Sequence, residues 1–384
     1  MAHHNTVLSQ ILKLVPRHEF ESLARQHHEG RKLRRVSRWQ QFVALLVGQL
    51  GGRQSLRDIV FSLSSQSARL YHLGCGLVAR SSLARVNEKQ PYTLYEALFA
   101  KLYARCQPHA SRHRFRFHNK LYAMDASLID LSLAIFPWAK FTQGKAAMKL
   151  HLGLDHDGGI PAFATVTHSH VSDLEVARQL TLPKGSIVVC DRGYFDYAWF
   201  KSLTKKNIFF VTRCKRNACY RTVKRQPAGL FPGLLSDDIV EFTGKKPREI
   251  ELAPLRRIVY YDRKTKKTYA FLTNHFRLCA ATICQVYKAR WEIELFFKWL
   301  KQNLKIRTFL GTSRNAILTQ IWIALCTALL IAYLKFTARL GWSAQQILRL
   351  IQINLFQRRG LMTLFEPPDN APPNAVPQLT LGLS

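Results

Sequence analysis

The sequence predicts an α/β protein: a mixed sheet flanked by helices, preceded by a helical region and interrupted by a β-rich insertion. Three observations carry this reading. Residues 1–115 place apolar side chains three and four apart, the period of helices packed on one face. Residues 116–215 open with three strand-like runs and then alternate helix with strand, a pattern that builds a mixed sheet with helices on both sides. Residues 216–280 turn β-branched and basic, before helical periodicity resumes over 281–340 and 341–366.

In chain order, "FESLARQHHEGRKLRRVSRWQQFVALLVGQLGG" (20–52) reads as helical and closes on Gly51-Gly52. The helix "QSLRDIVFSL" (54–63), the turn "HLGCG" and the Ser-initiated helix "RSSLARVNEKQ" (80–90) have the outline of a helix-turn-helix reader; an ordinary helical bundle fits equally well. Strands are expected at "KLYAMDASLIDLS" (120–132), "AMKLHLGLD" (147–155) and "IPAFATVTHSH" (160–170), the last two joined by the turn "DHDGG". The helix "SDLEVARQL" (172–180), the buried strand "SIVVC" (186–190), the helix "FDYAWFKSLTKKN" (195–207) and the strand "IFFVTRCK" (208–215) follow. Within the insertion, "RRIVYYDRKTKKTYAFLTN" (256–274) reads as a hairpin. The Pro-rich segment 367–384 is expected to be a disordered tail.

Charge narrows the partner. Lys and Arg number 57 against 24 Asp and Glu, a net charge of +33. So one-sided a balance favours a polyanion, nucleic acid first and an anionic membrane second. The longest apolar run, 321–334, is shorter than the roughly 18–20 residues that cross a bilayer, so a buried core helix is expected there. The first residues lack the basic start and apolar stretch of a signal peptide. Of the eight cysteines, Cys214/Cys219 and Cys279/Cys284 form spaced pairs, but the spacing is looser than structural zinc prefers. Buried free thiols in a reducing cytoplasm are expected.

The stretch "YKARWEIELFFKWLKQNLK" (287–305) raises the functional question. At about 100° per residue, Tyr287, Arg290, Glu294, Lys298, Lys301 and Lys305 fall within an arc of about 80°. Apolar Ile293, Leu295, Phe296, Phe297, Trp299, Leu300 and Leu304 fill most of the rest, so one polar seam is expected on a helix packed on most sides. Intrahelical pairing would account for such a seam by itself. Carboxylates elsewhere argue for more. In a chain poor in acids, Asp125 follows the strand-like "LYAM" and Asp191 follows "SIVVC", near strand ends where α/β sheets place their sites. With Glu294 they form a set of hard oxygen ligands suited to two Mg²⁺ ions, which activate an attacking oxygen and steady a leaving one in phosphoryl transfer. Arg290 and Lys301 would then grip flanking phosphates, and Tyr287 would offer its hydroxyl to the same backbone. Asp130, Asp155, Asp157 and Asp196 are read as structural: the first faces the other side of its strand, the next two sit in a turn, and the last caps a helix.

These residues carry a resemblance. "YKARWEIELFFKWLK" fits Y-x2-R-x3-E-x6-K through Tyr287, Arg290, Glu294 and Lys301, and resembles the signature of the DDE transposases of bacterial insertion sequences named for that Tyr-Arg-Glu-Lys motif. "YAMDASLIDLS", "FPWAKF" and "GKAAMKLHLGLD" look like the family's first-aspartate region, and "VVCDRGYFDYAWF" with "IFFVTRCKRN" like its second; the similarity spans about residues 30 to 340.

The resemblance implies an RNase H-like core containing Asp125, Asp191 and Glu294, in 116–215 and 281–340. It implies a helical DNA-binding region in 1–115, where basic runs such as Arg31 to Arg38 and Arg112 to Arg116 fit DNA. It further implies two Mg²⁺ ions, with Mn²⁺ able to substitute, and Tyr287, Arg290, Lys298, Lys301 and Lys305 on the DNA. The implied partners are double-stranded DNA, as terminal inverted repeats and target, and a second copy in a synaptic homodimer. The implied setting is the bacterial cytoplasm at the nucleoid, and the implied activity is cut-and-paste DNA transposition by strand cleavage and strand transfer. Two rivals remain: a repressor derived from a transposase but without chemistry, and an RNase H-like nuclease that never rejoins. Members of the group often pass through a hairpin aided by an insertion tryptophan. Here no Trp occurs between Trp199 and Trp291; Tyr260, Tyr261 or Tyr269 are the aromatic substitutes on offer.

Overall fold

The computed structural model describes residues 5–142, 145–227, 231–306 and 308–366; the expected disordered tail lies outside the described residues. The N-terminal region is helical: α1 (Val7–Leu12), α2 (Arg17–Gln26), α3 (Arg38–Leu50), α4 (Leu56–Ser64), α5 (Arg80–Lys89) and α6 (Thr93–Cys106). The run 20–52 is two helices, because the basic loop around Gly30 (φ +75°) intervenes and Ser37 starts α3 with a reciprocal capping box to Gln40. The expected Ser start of α5 is not found: Ala79 occupies the N-cap position without a side-chain bond, and Ser81 and Ser82 fall in the first turn.

The sheet comprises β1 (Leu121–Leu131), β2 (Lys140–Thr142), β3 (Lys145–Asp155), β4 (Ile160–His168), β5 (Ile187–Cys190), β6 (Phe209–Arg213), β7 (Tyr220–Arg225), β8 (Leu234–Phe242), β9 (Leu255–Asp262) and β10 (Lys267–Thr273). Helices α7 (Asp173–Gln179), α8 (Tyr197–Lys205) and α9 (Lys245–Glu249) interleave; α10 (Ala280–Ala289), α11 (Trp291–Asn303), α12 (Arg314–Thr337) and α13 (Ala344–Asn354) follow. The core order is β4-β3-β1-β5-β6, with β1 antiparallel to β3 and parallel to β5, and β5 parallel to β6. This is the RNase H-like mixed sheet. The segment read as an insertion continues the same sheet: β10 pairs antiparallel with β6, Phe271 opposite Arg213, and β9, β8 and β7 follow outward. A buried ion pair, Arg256 with Asp237 at 2.6 and 2.8 Å, stiffens it, and Arg256 also donates to the His275 and Leu278 carbonyls on the way into α10.

Side chains alternate across each strand, so each face builds its own core. Met124, Val188 and Cys190 pack on one face with Trp199, Phe200 and Leu203 of α8. Ala123, Ile129, Leu150 and Leu152 pack on the other with Ile293, Phe297 and Leu300 of α11 and with α12. Helix α12 is buried at every position from Ala316 to Ile331 and packs on α3, α5, α6 and α13. Its 24 residues span about 36 Å, so by length and composition it does qualify as a membrane-crossing helix. Length therefore does not decide the matter, as the shorter apolar run had suggested. Burial does: 89% of the apolar window lies inside the fold. The N-terminal helices thus share one core with the sheet, and Asn315 seals the joint by donating to the Asn87 and Gln90 carbonyls and accepting from the Tyr92 amide.

Candidate active site

Strand register brings the two aspartates together. In the parallel pair, Met124 lies opposite Cys190, so Asp125 and Asp191, the next residue on each, stand side by side where the two strands leave their pairing. Neighbouring strands lie about 4.8 Å apart. Both aspartates follow residues of the α8-side core by one position, which turns them toward the other face, where α11 packs against β1. That packing sets Glu294 opposite them. Buried Ile293, Phe297 and Leu300 form the anchoring stripe. The stripe is narrower than expected: Leu295 and Trp291 are exposed, so α11 is packed along one side only.

The expected single helix is broken at Arg290, which closes α10 and opens α11. The break turns the guanidinium into a bridge. Arg290 Nη2 donates to Glu294 Oε1 at 2.7 Å, and Nη1 lies 3.7 Å from Asp125 Oδ2. Its Nε is buried with no acceptor among the described residues. Tyr287 ends on α10, its ring 4.7 Å from Phe271 and 5.8 Å beneath Arg290. Burial raises the Tyr287 hydroxyl's pKa, with Arg290 and Arg213 opposing.

Asp125 is the perturbed acid. Burial pushes its carboxyl up to about 6; the Ala126 amide and Arg290 oppose this, and the charges of Asp191 and Glu294 add to it. Asp191 Oδ1 accepts from the Gly193 amide at 2.7 Å, starting a short helical turn. Asp125 and Glu294 line a cleft of about 380 Å³ with Ser127, Lys298, Lys301 and Gln302. Lys301 Nζ donates to the Leu128 carbonyl at 2.7 Å, lashing α11 to β1. Lys305 lies past the helix end, so the helical seam stops at Lys301.

Arg290 also lines a second cavity, of about 420 Å³, walled by Arg213, Tyr260, Tyr269, Phe271, Tyr287 and Trp291. Tyr260 and Tyr269 are paired across β9 and β10 and share its face, whereas Tyr261 alternates away. Arg213, which stacks on Tyr269 at 5.0 Å, escaped the sequence reading, although "IFFVTRCKRN" contains it.

The structural acids behave as read, with one change. Asp196 caps α8 through the Trp199 amide. Asp130 is exposed on β1. Asp155 ends β3, accepts from the Asp157 amide in the turn as read, and is also fully buried and accepts from Tyr103 and Lys120, which adds a core role. Asp157 pairs with Lys120. All eight cysteines are free, but Cys219 and Cys279 are exposed, so burial holds only for one member of each spaced pair.

With this geometry in view, residues 117–330, more than half of the chain, match the family described as Transposase DDE domain. The chain belongs to the DDE transposase family. Residues 3–76 match a second family described only as a domain of unknown function, DUF4372. The putative transposase y4zB of Sinorhizobium fredii is 30% identical over 77% of this chain and 83% of its own. The probable transposase for insertion sequence element IS5377 of Geobacillus stearothermophilus is 26% identical over 66% and 67%. A solved piggyBac transposase synaptic complex with hairpin DNA aligns at 12% identity and a TM-score of 0.44, covering 94% of this chain and 78% of that one, a likeness too distant to bear on mechanism.

This DDE transposase is thus an enzyme that cuts and transfers DNA, of a family that uses a divalent metal. Among the described residues no three acidic, His or Cys side chains enclose a common point, and Glu294 is paired with Arg290. The donor set nevertheless suits a hard cation, being all carboxylate oxygen. Burial is what chiefly raises the Asp125 pKa, and a cation beside the carboxylate would offset that cost of ionising it.

Proposed function

We propose that this transposase binds the terminal inverted repeats of its insertion sequence and catalyses Mg²⁺-dependent strand cleavage and strand transfer, the cut-and-paste route. The observation that carries the reading is the meeting of Asp125 and Asp191 on adjacent strand ends, with Glu294 joined to Asp125 through one guanidinium. Asp125, Asp191 and Glu294 are the residues that would hold Mg²⁺, or Mn²⁺ in its place, once Glu294 rotates away from Arg290. When bound, the ions supply an activated oxygen nucleophile and neutralise the leaving oxygen.

The chain's own groups position the DNA. Arg290, released from Glu294, offers its fork and its unpaired Nε to a phosphate beside the scissile one. Lys298 and Lys301 line the same cleft and contact the strand as point charges, with Lys305 beyond the helix end. Tyr287 holds the guanidinium from below and presents its hydroxyl to the backbone. The helical region 1–115 reads the repeats, two copies join them in a synaptic dimer, and the work is done in the cytoplasm at the nucleoid. A net charge of +33 supports the DNA partner.

The test is direct. Asp125→Ala, Asp191→Ala and Glu294→Ala should each abolish Mg²⁺-dependent cleavage of a duplex carrying the element's end, while binding of that duplex survives. Cleavage at the wild-type rate by all three would overturn the assignment. Cleaved 3′ ends that are never joined to a second duplex would leave a nuclease.

A further inference from the structure

Helix α11, which carries Glu294 and Lys301, is tied down at three places. At its start, His156 Nδ1 meets Glu292 Oε2 at 3.0 Å. Along its length, Lys301 reaches the Leu128 carbonyl. At its far end the tie is of another kind. The chain leaves the helix at Leu304 in an extended conformation, and the Lys305 amide donates to Gln49 Oε1 at 2.7 Å.

Gln49 stands in the last turn of α3, 2% exposed, in the N-terminal bundle. A second buried glutamine completes the joint from the other side. Gln320 of α12, also 2% exposed, donates to the Lys305 and Thr308 carbonyls and accepts from the Leu310 amide at 2.9 Å. Leu304 and Ile306, buried between these contacts, close the seam. The approach is close: a Cβ on Gly48 would stand 2.7 Å from the Ile59 side chain of α4 and 3.9 Å from Leu310. Buried carboxamides are costly to leave unbonded, so moving the joint apart is penalised. A shift of α3 and α4 must then drag the end of α11 with it.

We infer that Gln49 is a positioning residue for strand cleavage. It indexes the helix bearing Glu294 and Lys301 to the N-terminal bundle, so that the bundle's seating on DNA sets where α11 presents its side chains. The inference rests on the active-site reading above and adds to it a residue far from the carboxylates in sequence.

The experiment uses the full chain with a duplex carrying the element's end. Single-turnover cleavage in Mg²⁺ at saturating duplex, duplex affinity without divalent cation, and amide hydrogen exchange at Lys305 are measured for the wild type, Gln49→Leu and Gln49→Glu. Gln49→Leu should expose the Lys305 amide and slow cleavage about tenfold or more, one hydrogen bond's worth in rate, with affinity unchanged. Gln49→Glu keeps an acceptor oxygen and should restore both amide protection and rate. Should Gln49→Leu fail to fold, Gln49→Asn, one methylene too short to reach, replaces it. A deprotected Lys305 amide with wild-type cleavage overturns the inference, as does a slow Gln49→Glu variant whose Lys305 amide is protected. Asp125→Asn is the control: if it cleaves, the active-site reading has failed; if it is inert and Gln49→Leu cleaves normally, only the positioning role has.

Discussion

Replacing Asp125 by Asn should stabilise the metal-free protein while destroying its chemistry. The carboxyl is lifted from 3.8 to about 6, chiefly by burial and further by Asp191 and Glu294. Well below pH 4 it is protonated in both the folded and the unfolded chain and carries no penalty. Between about pH 4 and 6 the unfolded chain ionises freely while the folded chain holds its proton, and stability falls; above about 6 both are ionised and the loss levels off. The shift corresponds to about 3 kcal/mol above pH 7 and about half that at pH 5. Asn keeps an oxygen for the Ala126 amide, now 2.8 Å from Asp125 Oδ1, and Arg290 keeps Glu294. A gain of about 1–3 kcal/mol is therefore expected at pH 8, a rise of about 1–4 °C in Tm for a chain of this length. Thermal melts at pH 8 and pH 5 without divalent cation measure it. Adding Mg²⁺ should then raise the wild-type Tm more than the variant's, since only the wild type retains the full set of ligands. A variant that melts at or below the wild type at pH 8, or a gap as wide at pH 5 as at pH 8, would refute the reasoning.

Two further outcomes follow from the same structure. Arg256→Met leaves Asp237 buried beside no counter-charge, the side chains being 3% and 5% exposed. A loss of about 3–5 kcal/mol is expected in denaturant melts, partly recovered when Asp237→Leu is added; an unchanged midpoint would contradict it. Lys301→Ala should weaken duplex binding and lower the slope of log affinity against log salt by about 1. An unchanged slope would place Lys301 off the DNA.

Much of the architecture was legible because its signals are local. Strand-like runs marked β1, β3, β4 and β6, a short apolar run marked β5, helical spacing marked α7 and α8, and a long apolar run marked α12. The scarcity of acids made Asp125, Asp191 and Glu294 conspicuous before any geometry was known. The short strand β2, the break at Arg290 and the exposed side of α11 were not legible. Their causes lie elsewhere in the chain: β2 exists by pairing with β3, and Leu295 is exposed because, among the described residues, none packs over that side of the helix. The aromatic cavity beside Arg290 needed β9 and β10 to be placed against α10, which no spacing in "RRIVYYDRKTKKTYAFLTN" encodes.

By itself the sequence determined the class of sheet, the polyanionic partner and the three acids, since charge and short-range periodicity belong to residues and their immediate neighbours. Tertiary structure alone decided that Met124 sits opposite Cys190, that one guanidinium spans Asp125 and Glu294, and that the insertion extends the central sheet. It also decided that Gln49 meets an amide 256 residues away. Contacts of that kind depend on register and packing between distant segments, and these are settled only when the whole core closes.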